Sequence, residues 1–581
     1  MSPVSSGIIV VVDTTVVIVT GLVVSSIPVV VVPGSGIVDV GGGVPLVSPG
    51  GKPVVPPVDP SEVVNRSLSS RHPASNTAAT AATIRISRQS ISPLHPPARA
   101  PTIRPRMRAD DWSTWTAWRT ADAVRRGHVS AREVTVAALA RAAADPHHAW
   151  RSLAPGAALA AADAVDAARA RGDRPGLLAG VPLGLKDNLV TAGLETTAGS
   201  RLLTGWIPPH DGDQAARLRA AGAVILGKLA LDEFAMGSSG EHSPFTPAEN
   251  PRAPGFVPGG SSSGPAAAVA GGTACAAIAS DTGGSIRLPA AFCGLVGVKP
   301  TWGRVSRRGL IAFASSLDQV GPIARDVRDA ALLLTCLAGQ DPGDSTSLAD
   351  PVPDYLAAVA DGRARDLGDL RIGVPPLPDL DPAVARSFAD SLALLAARGA
   401  TILDLTLAHA AHAVATYVVI SAAEATSNLA RHDGVRYGAH VSGEDPVAAT
   451  RAAGFGREVQ RRLLLGSLAL RGHHAQAARV RALIARDYDL AFQTCDLIAT
   501  PVAPIPPFRR GELLEDPLAM AMVDRFTVGP SLAGLPAIAV PAGPAPARPD
   551  RPALPIGLQL IAPRLGEPLL FRVAAALEPH A

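Results

Sequence analysis

Gly259-Gly-Ser-Ser-Ser-Gly-Pro-Ala-Ala-Ala-Val-Ala270, followed after nine mostly small residues by Ser280-Asp-Thr-Gly-Gly-Ser285, decides how this chain of 581 residues is read. Two serines, Ser261 and Ser285, sit in glycine-rich turns at either end of a segment of small residues. The alanines over 266–270 give a helix a thin face for close packing, and Pro265 suits its first turn, where no backbone N–H is needed. In Thr282-Gly283-Gly284-Ser285 the small side chains leave backbone N–H groups free to point at one spot. Such donors hold a developing oxyanion, typically at about 10²–10³-fold in rate each. A serine hydroxyl is a weak nucleophile until a base takes its proton. The candidate base lies upstream, Lys186 in Gly180-Val-Pro-Leu-Gly-Leu-Lys-Asp-Asn188. To serve, its pKa must fall from about 10.4 to roughly 7–8, which burial among apolar neighbours achieves. Plainer readings stand beside each residue. Ser285 fits an ordinary glycine-rich turn, the serines after Gly260 fit a helix cap by Ser262 or Ser263, and Lys186 fits a partner for Asp187.

Composition sharpens the reading of the lysine. Of 53 basic residues only four are lysines, namely Lys52, Lys186, Lys228 and Lys299. A chain that uses arginine wherever a permanent cation suffices raises the chemical interest of each lysine, because lysine can lose its proton when desolvated and arginine cannot. The net charge of +3 hides an asymmetry: residues 1–109 hold nine Lys/Arg against four Asp/Glu, and the rest is close to neutral. The body therefore lacks the charge footprint of a nucleic-acid binder. Cys275, Cys293, Cys336 and Cys495 are far apart in apolar settings with no CxxC pair, which reads as buried thiols in a reducing, cytoplasmic compartment.

Two regions follow from the same pass. Residues 1–58 are mostly Val, Gly, Ser and Pro, and no charge falls between Asp13 and Asp39. Prolines and glycines break the run and no basic residue flanks it, so neither a membrane span nor a signal peptide is expected. Residues 63–108 carry eight arginines and no acid. Residues 1–106 are thus read as a low-complexity extension, disordered or not part of the native protein, which would then start at Met107. From 110 onward the pattern changes. Helical spacing runs over 112–144, with Ser130-Ala-Arg-Glu133 as a capping box, and alanine-rich helices continue to about Arg171. Strands are expected at 181–186, 223–227, 370–374, 497–501, 537–540 and 556–561, and helices at 213–221, 327–337, 382–398 and 457–470. Alternation of this kind predicts an α/β sandwich around a mostly buried sheet. Residues 544–555, rich in proline, read as a surface loop between two strands.

Taken together, Lys186, Ser261 and Ser285 make residues 107–581 resemble the amidase signature family. That family uses a Ser–cis-Ser–Lys triad, and its motifs map onto Ser285, Ser261 and Lys186, which are 24 and 75 residues apart. The resemblance implies an α/β/α sandwich with a large mixed, twisted sheet covered by helices on both faces. It also implies a bridging Ser261 after a cis peptide bond, a backbone oxyanion site at Thr282, Gly283 and Gly284, and Ser262, Asp281 and Arg287 as structural neighbours.

Within the family the chain is most similar to the A subunits of glutamine-dependent aspartyl/glutamyl-tRNA amidotransferases, over about 110–578. The likeness rests on Asp232-Glu-Phe-Ala-Met-Gly-Ser-Ser239, Lys299-Pro-Thr-Trp-Gly-Arg-Val-Ser306, Ala312-Phe-Ala-Ser-Ser-Leu-Asp-Gln319, Glu424-Ala-Thr-Ser-Asn-Leu-Ala-Arg431, Asp433-Gly-Val-Arg-Tyr437, and Gly454-Phe-Gly456 with Arg461-Arg462. It implies that Arg462 takes the α-carboxylate of glutamine, Asp524 its α-ammonium, and that Tyr417 lines the pocket. It further implies B and C subunits completing a heterotrimer, misacylated tRNA held mainly by the B subunit, and ATP with Mg²⁺ used at that partner, with no cofactor or metal in this chain. The sequence departs from the pattern at Ser263, Pro265 and Leu288, and over 470–481, which is about one helical turn shorter. Two other readings compete: a stand-alone amidase for small or aryl amides, and a non-catalytic scaffold subunit. Gly222-Ala-Val-Ile-Leu-Gly-Lys228 imitates a phosphate loop but ends in Leu229 and reads as a strand. His409 and His412 lack the further ligands of a metal site, and Arg431-His432-Asp433 are neighbours in sequence only.

Overall fold

The computed structural model describes residues 8–12, 15–20, 23–26 and 114–578. The first three segments are antiparallel strands, β1 (Ile8–Val12), β2 (Thr15–Thr20) and β3 (Val23–Ser26). The remainder of the 1–106 extension, and Met107, lie outside the described residues.

Eleven strands build the main sheet. They are β4 (Trp150–Leu153), β5 (Pro182–Lys186), β6 (Val224–Leu229), β7 (Ala276–Asp281), β8 (Val296–Lys299), β9 (Gln319–Ala324), β10 (Arg371–Val374), β11 (Thr401–Asp404), β12 (Leu497–Pro501), β13 (Ala537–Ala545) and β14 (Leu554–Ile561). Their order is β11-β10-β12-β14-β13-β8-β9-β7-β5-β6-β4. The sheet is mixed: β6, β5 and β7 run parallel side by side, β9 joins β7 antiparallel, and β10 is parallel to both β11 and β12.

Side chains alternate between two faces with the period of two that a pleated strand imposes. On β7, Ala276 and Ile278 enter the largest core together with Leu183, Leu185, Val298, Leu558 and Leu560. Ala277 and Ala279 point the other way, against Ala266–Val269. The first face is covered by helices Ala117–Arg125, Ala131–Ala143, Val327–Leu337, Tyr355–Ala364 and Glu567–Leu577. The second is covered by Ser263–Ala270, Ala413–Leu429, Arg457–Gly472 and His474–Ala491. This is an α/β/α sandwich, and its covered strands explain why β5, β6 and β12 are buried at every position. The Ser130–Glu133 capping box is present: Glu133 N donates to Ser130 Oγ at 3.0 Å and Ser130 N to Glu133 Oε2 at 2.9 Å. Among the described residues no helix is long and apolar enough to cross a membrane.

The strands that carry the site are helped by one short helix. Ser263–Ala270 is buried on almost all sides. A Cβ on Gly264 would collide with Ala230 N and lie 2.5 Å from Ala149 O, so only glycine lets this helix lie on the backbone beside it. The helix thereby brings Ser261, just before it, to the carboxyl ends of β5 and β7.

Candidate active site

Lys186 closes β5 and is fully buried. Its ammonium donates to Ser261 Oγ at 2.8 Å, Ser262 Oγ at 2.9 Å, Ser280 Oγ at 3.0 Å and Ser280 O at 3.3 Å. Burial lowers its pKa to about 7, against the pull of Asp232, Asp281 and Asp318 in the other direction. The alternative, in which Asp187 claims this lysine, fails for a geometric reason: successive side chains on an extended segment diverge, and Asp187 is instead 3.6 Å from Lys228. Nor does Ser262 cap the helix. Its hydroxyl donates to Ser280 O at 3.1 Å and receives the lysine. The Gly260–Ser261 peptide bond is cis.

Ser285 follows β7 and opens into a cavity of about 220 Å³. Among the described residues, no protein group accepts from the backbone N–H of Gly283, Gly284 or Ser285. Both glycines are demanded by contact. A Cβ on Gly283 would stand 2.5 Å from the Tyr417 ring, and one on Gly284 would collide with Thr527 Oγ1 and stand 2.7 Å from Asp524 Oδ1. Thr282 Oγ1 donates to Asp318 Oδ1 at 2.7 Å. Behind the turn, Arg287 grips Asp281 through Nε and Nη2 at 3.0 and 2.9 Å, both side chains fully buried. The same guanidinium reaches Thr527 O at 2.9 Å, Ser531 Oγ at 2.9 Å and Gln559 Oε1 at 2.6 Å. Burial pushes the Asp281 carboxyl up, but Arg287 and Lys299 together bring it below its ordinary value.

The cavity gathers Tyr417, Arg462 and Asp524 with Ser285, although they lie on separate elements: Tyr417 on helix Ala413–Leu429, Arg462 on helix Arg457–Gly472, and Asp524 just after helix Pro517–Val523. Glu458, one turn earlier, takes Arg462 Nε at 2.7 Å and also holds Arg461. Among the described residues the two terminal nitrogens of Arg462 have no protein acceptor, which leaves them for a carboxylate in the cavity. Burial raises Asp524 to about 7, opposed by the hydroxyl of Ser238, which donates to Oδ2 at 2.5 Å. Neither residue is a solvated helix-surface group: the Arg462 side chain is 17% exposed and Asp524 9%.

Four neighbours were not legible as site residues. Ser280, Ser238 and Glu458 orient Lys186, Asp524 and Arg462, and Asn188 Nδ2 donates to Ser280 Oγ at 2.9 Å. Only Glu458 carried a local signal, its spacing of four from Arg462 on a helix. Of the other features, His409 pairs with Asp487 at 3.0 Å, and the His432 ring lies 4.9 Å from Phe234 and 5.9 Å from Tyr437. Val224–Leu229 is a strand, as expected, and the shortened 470–481 segment spans the break between two helices at His473. No group of metal-ligating side chains occurs among the described residues.

Residues 133–571 match the family model described as amidase. The chain is 48% identical over 476 residues to the A subunit of the glutamyl-tRNA(Gln) amidotransferase of Moorella thermoacetica, covering 80% of this chain and 96% of that protein. It is similar to the crystal structure of the A subunit of the glutamyl-tRNA(Gln) amidotransferase from Thermotoga maritima, with a TM-score of 0.66, 36% identity, and coverage of 81% of this chain and 95% of that one. It is also similar to the peptide amidase of Stenotrophomonas maltophilia, with a TM-score of 0.67, 30% identity, and coverage of 80% and 97%. A buried lysine hydrogen-bonded to Ser261, Ser262 and Ser280, on a sheet of this order and with this match along its length, makes the chain a member of the amidase signature family.

Proposed function

We propose that this chain is the glutaminase subunit of a glutamine-dependent tRNA amidotransferase. One observation carries the reading: the cavity in front of Ser285 holds a guanidinium with two unclaimed nitrogens and a buried carboxylate. A free amino acid has the complementary pair of charges. Arg462 forks the α-carboxylate, Asp524 takes the α-ammonium, and the side-chain amide is left to reach Ser285.

The chemistry then runs through the chain's own groups. Neutral Lys186 accepts a proton from Ser261 Oγ as Ser261 accepts one from Ser285 Oγ, and Ser285 Oγ bonds to the amide carbon. The oxygen that gains negative charge is met by the N–H groups of the Thr282–Gly283–Gly284 turn. The proton returns through Ser261 to the nitrogen, the C–N bond breaks, and ammonia leaves. Water, deprotonated by the same relay, cleaves the ester to glutamate and frees Ser285. The ammonia serves a B subunit, which activates Glu-tRNA(Gln) or Asp-tRNA(Asn) with ATP and Mg²⁺, while a small C subunit braces the heterotrimer. The names of the relatives support this assignment. Four free cysteines support a cytoplasmic setting.

The apolar wall formed by Val414, Val418, Leu465 and Met520 favours a second reading, an amidase acting alone on bulkier amides. Tagged protein recovered from its own cells, then assayed for ammonia release with and without misacylated tRNA and ATP, separates the two. Copurifying subunits and tRNA-stimulated release support the first; steady hydrolysis of simple amides without partners supports the second. Arg462→Ala should raise KM for glutamine about tenfold or more with little change on a plain amide. Equal effects on both substrates would remove Arg462 from the glutamine site.

A further inference from the structure

We propose that Glu233 is a positioning residue that sets Arg462 in register with Asp524, an inference that rests on the glutamine reading above. Arg462 sits in the second turn of helix Arg457–Gly472, so the placement of that helix start fixes where its guanidinium falls. The start has no cap of its own. Its N-cap is Gly456, which lacks a side chain, and Glu458, the acid in the first turn, is already committed to Arg461 and Arg462. Glu233, distant in sequence, supplies what is missing: Gly456 N donates to Glu233 Oε2 at 2.7 Å. This is half of a capping box furnished from another part of the chain, with the carboxylate at the positive end of the helix.

Glu233 is well placed to hold a helix still. It is 3% exposed, and Ser200 Oγ donates to its other oxygen at 2.5 Å. The next two residues, Phe234 and Ala235, take left-handed φ of 49° and 61°, a conformation unfavourable for residues that carry a Cβ. Phe234 packs its ring 5.7 Å from that of Phe455, just before the helix start. Such a conformation persists where the surroundings over-determine it, commonly at functional sites.

The same segment reaches the other half of the site. Ser238 donates to Asp524, Gly260 N donates to Ser238 O at 2.8 Å, and Asp232 N donates to Ser261 O at 3.3 Å. Residues 232–238 therefore tie together the cation site, the anion and the bridging serine. The hydrogen bond from Gly456 to Glu233 links this segment directly to the N-cap of the Arg462 helix, beside the Phe234–Phe455 ring contact and the Ser200 hydroxyl that reaches Gly454 O at 3.5 Å. The distance between the two charges that read the amino acid is set through it.

The test is a double-mutant cycle on the protein purified with whatever subunits accompany it. Glu233→Ala should raise KM for glutamine about tenfold while kcat stays within about threefold. Glu233→Gln keeps an acceptor for Gly456 N and should restore KM to within about threefold of the parent. In an Arg462→Ala background, Glu233→Ala should add nothing further. A fall in kcat at unchanged KM, or effects of the two substitutions that multiply, would overturn the proposal. If Glu233→Ala does not fold, Gly456→Ala tests the same contact from the other side, since its Cβ would meet Glu233 Oε2 at 2.5 Å; it should reproduce the KM effect, and an unchanged KM would overturn the proposal. A rise in KM confined to glutamine in Arg462→Ala, with none in the Glu233 variants, refutes only the positioning role. An Arg462→Ala effect of equal size on glutamine and on a plain amide refutes the glutamine reading itself.

Discussion

Lys186, Lys228 and Lys299 are equally buried, and burial lowers all three, to about 7, 8 and 7. What separates them is the company each ammonium keeps. Lys228 faces the carbonyl of Leu189, the hydroxyls of Thr191 and Thr196 and the Asp187 carboxylate 3.6 Å away, and Lys299 faces the carbonyls of Pro300 and Leu535. Carbonyls only accept, so they need the lysine as a donor. Lys186 faces three hydroxyls and the Ser280 carbonyl, and among the described residues no carboxylate pairs with it; hydroxyls accept from an ammonium and donate to an amine, so either protonation state finds partners in place. Lys186→Arg should therefore cost about 10²–10⁴-fold in kcat/KM, because arginine stays charged; steady-state ammonia release alongside circular dichroism checks that the loss is chemical. The pH dependence has one sign. The amine of Lys186 and the carboxylate of Asp524 are both the deprotonated forms, and each becomes populated as pH rises through about 7. The kcat/KM for glutamine should climb through about pH 7 and do so more steeply than for a plain amide, which needs only the lysine; Asp524→Asn should reduce the two slopes to the same.

At the scale of elements, the turn after β7 works by being thin. Gly283 and Gly284 have ordinary negative-φ backbones, and what they provide is room, with Tyr417 against one and Thr527 and Asp524 against the other. Gly284→Ala should force this wall apart, with a cost of about 1–3 kcal/mol from overpacking. Thermal unfolding should register it, and kcat and KM should worsen together because the Ser285 turn and Asp524 share the contact. The helix Ser263–Ala270 was readable from its alanines, but β7, β8 and β9 beside it were not. Ala276–Asp281 has few β-branched residues, Val296–Lys299 is four residues long, and Pro322 interrupts β9 where a central strand normally avoids proline. These strands exist because both their faces are buried, a property of the neighbours rather than of the segments.

At the scale of the whole molecule, Arg287 joins the Ser285 turn to residues 240 or more positions away, through Thr527, Ser531 and, on β14, Gln559. Arg287→Ala would leave Asp281 buried and unpaired at the centre of the sheet. The expected loss is about 3–5 kcal/mol, to be read as a lower midpoint in denaturant unfolding, with Ser285 reactivity lost in parallel. A midpoint within error of the parent would mean the pair is dispensable. Local sequence was enough for the family, the α/β layering, and Lys186, Ser261 and Ser285 as candidates, because each lies in a short pattern of glycine, small residues or strand periodicity; the structure places Lys186 against Ser261, and Ser285 at the cavity. Folding had to decide which lysine meets Ser261, that Glu458 holds Arg462 at the cavity, and that Ser238 bonds Asp524 while Glu233 bonds the start of the Arg462 helix. Apart from the Glu458–Arg462 pair, those are contacts between segments far apart in the chain, and nothing in a local stretch records which distant surface it will meet.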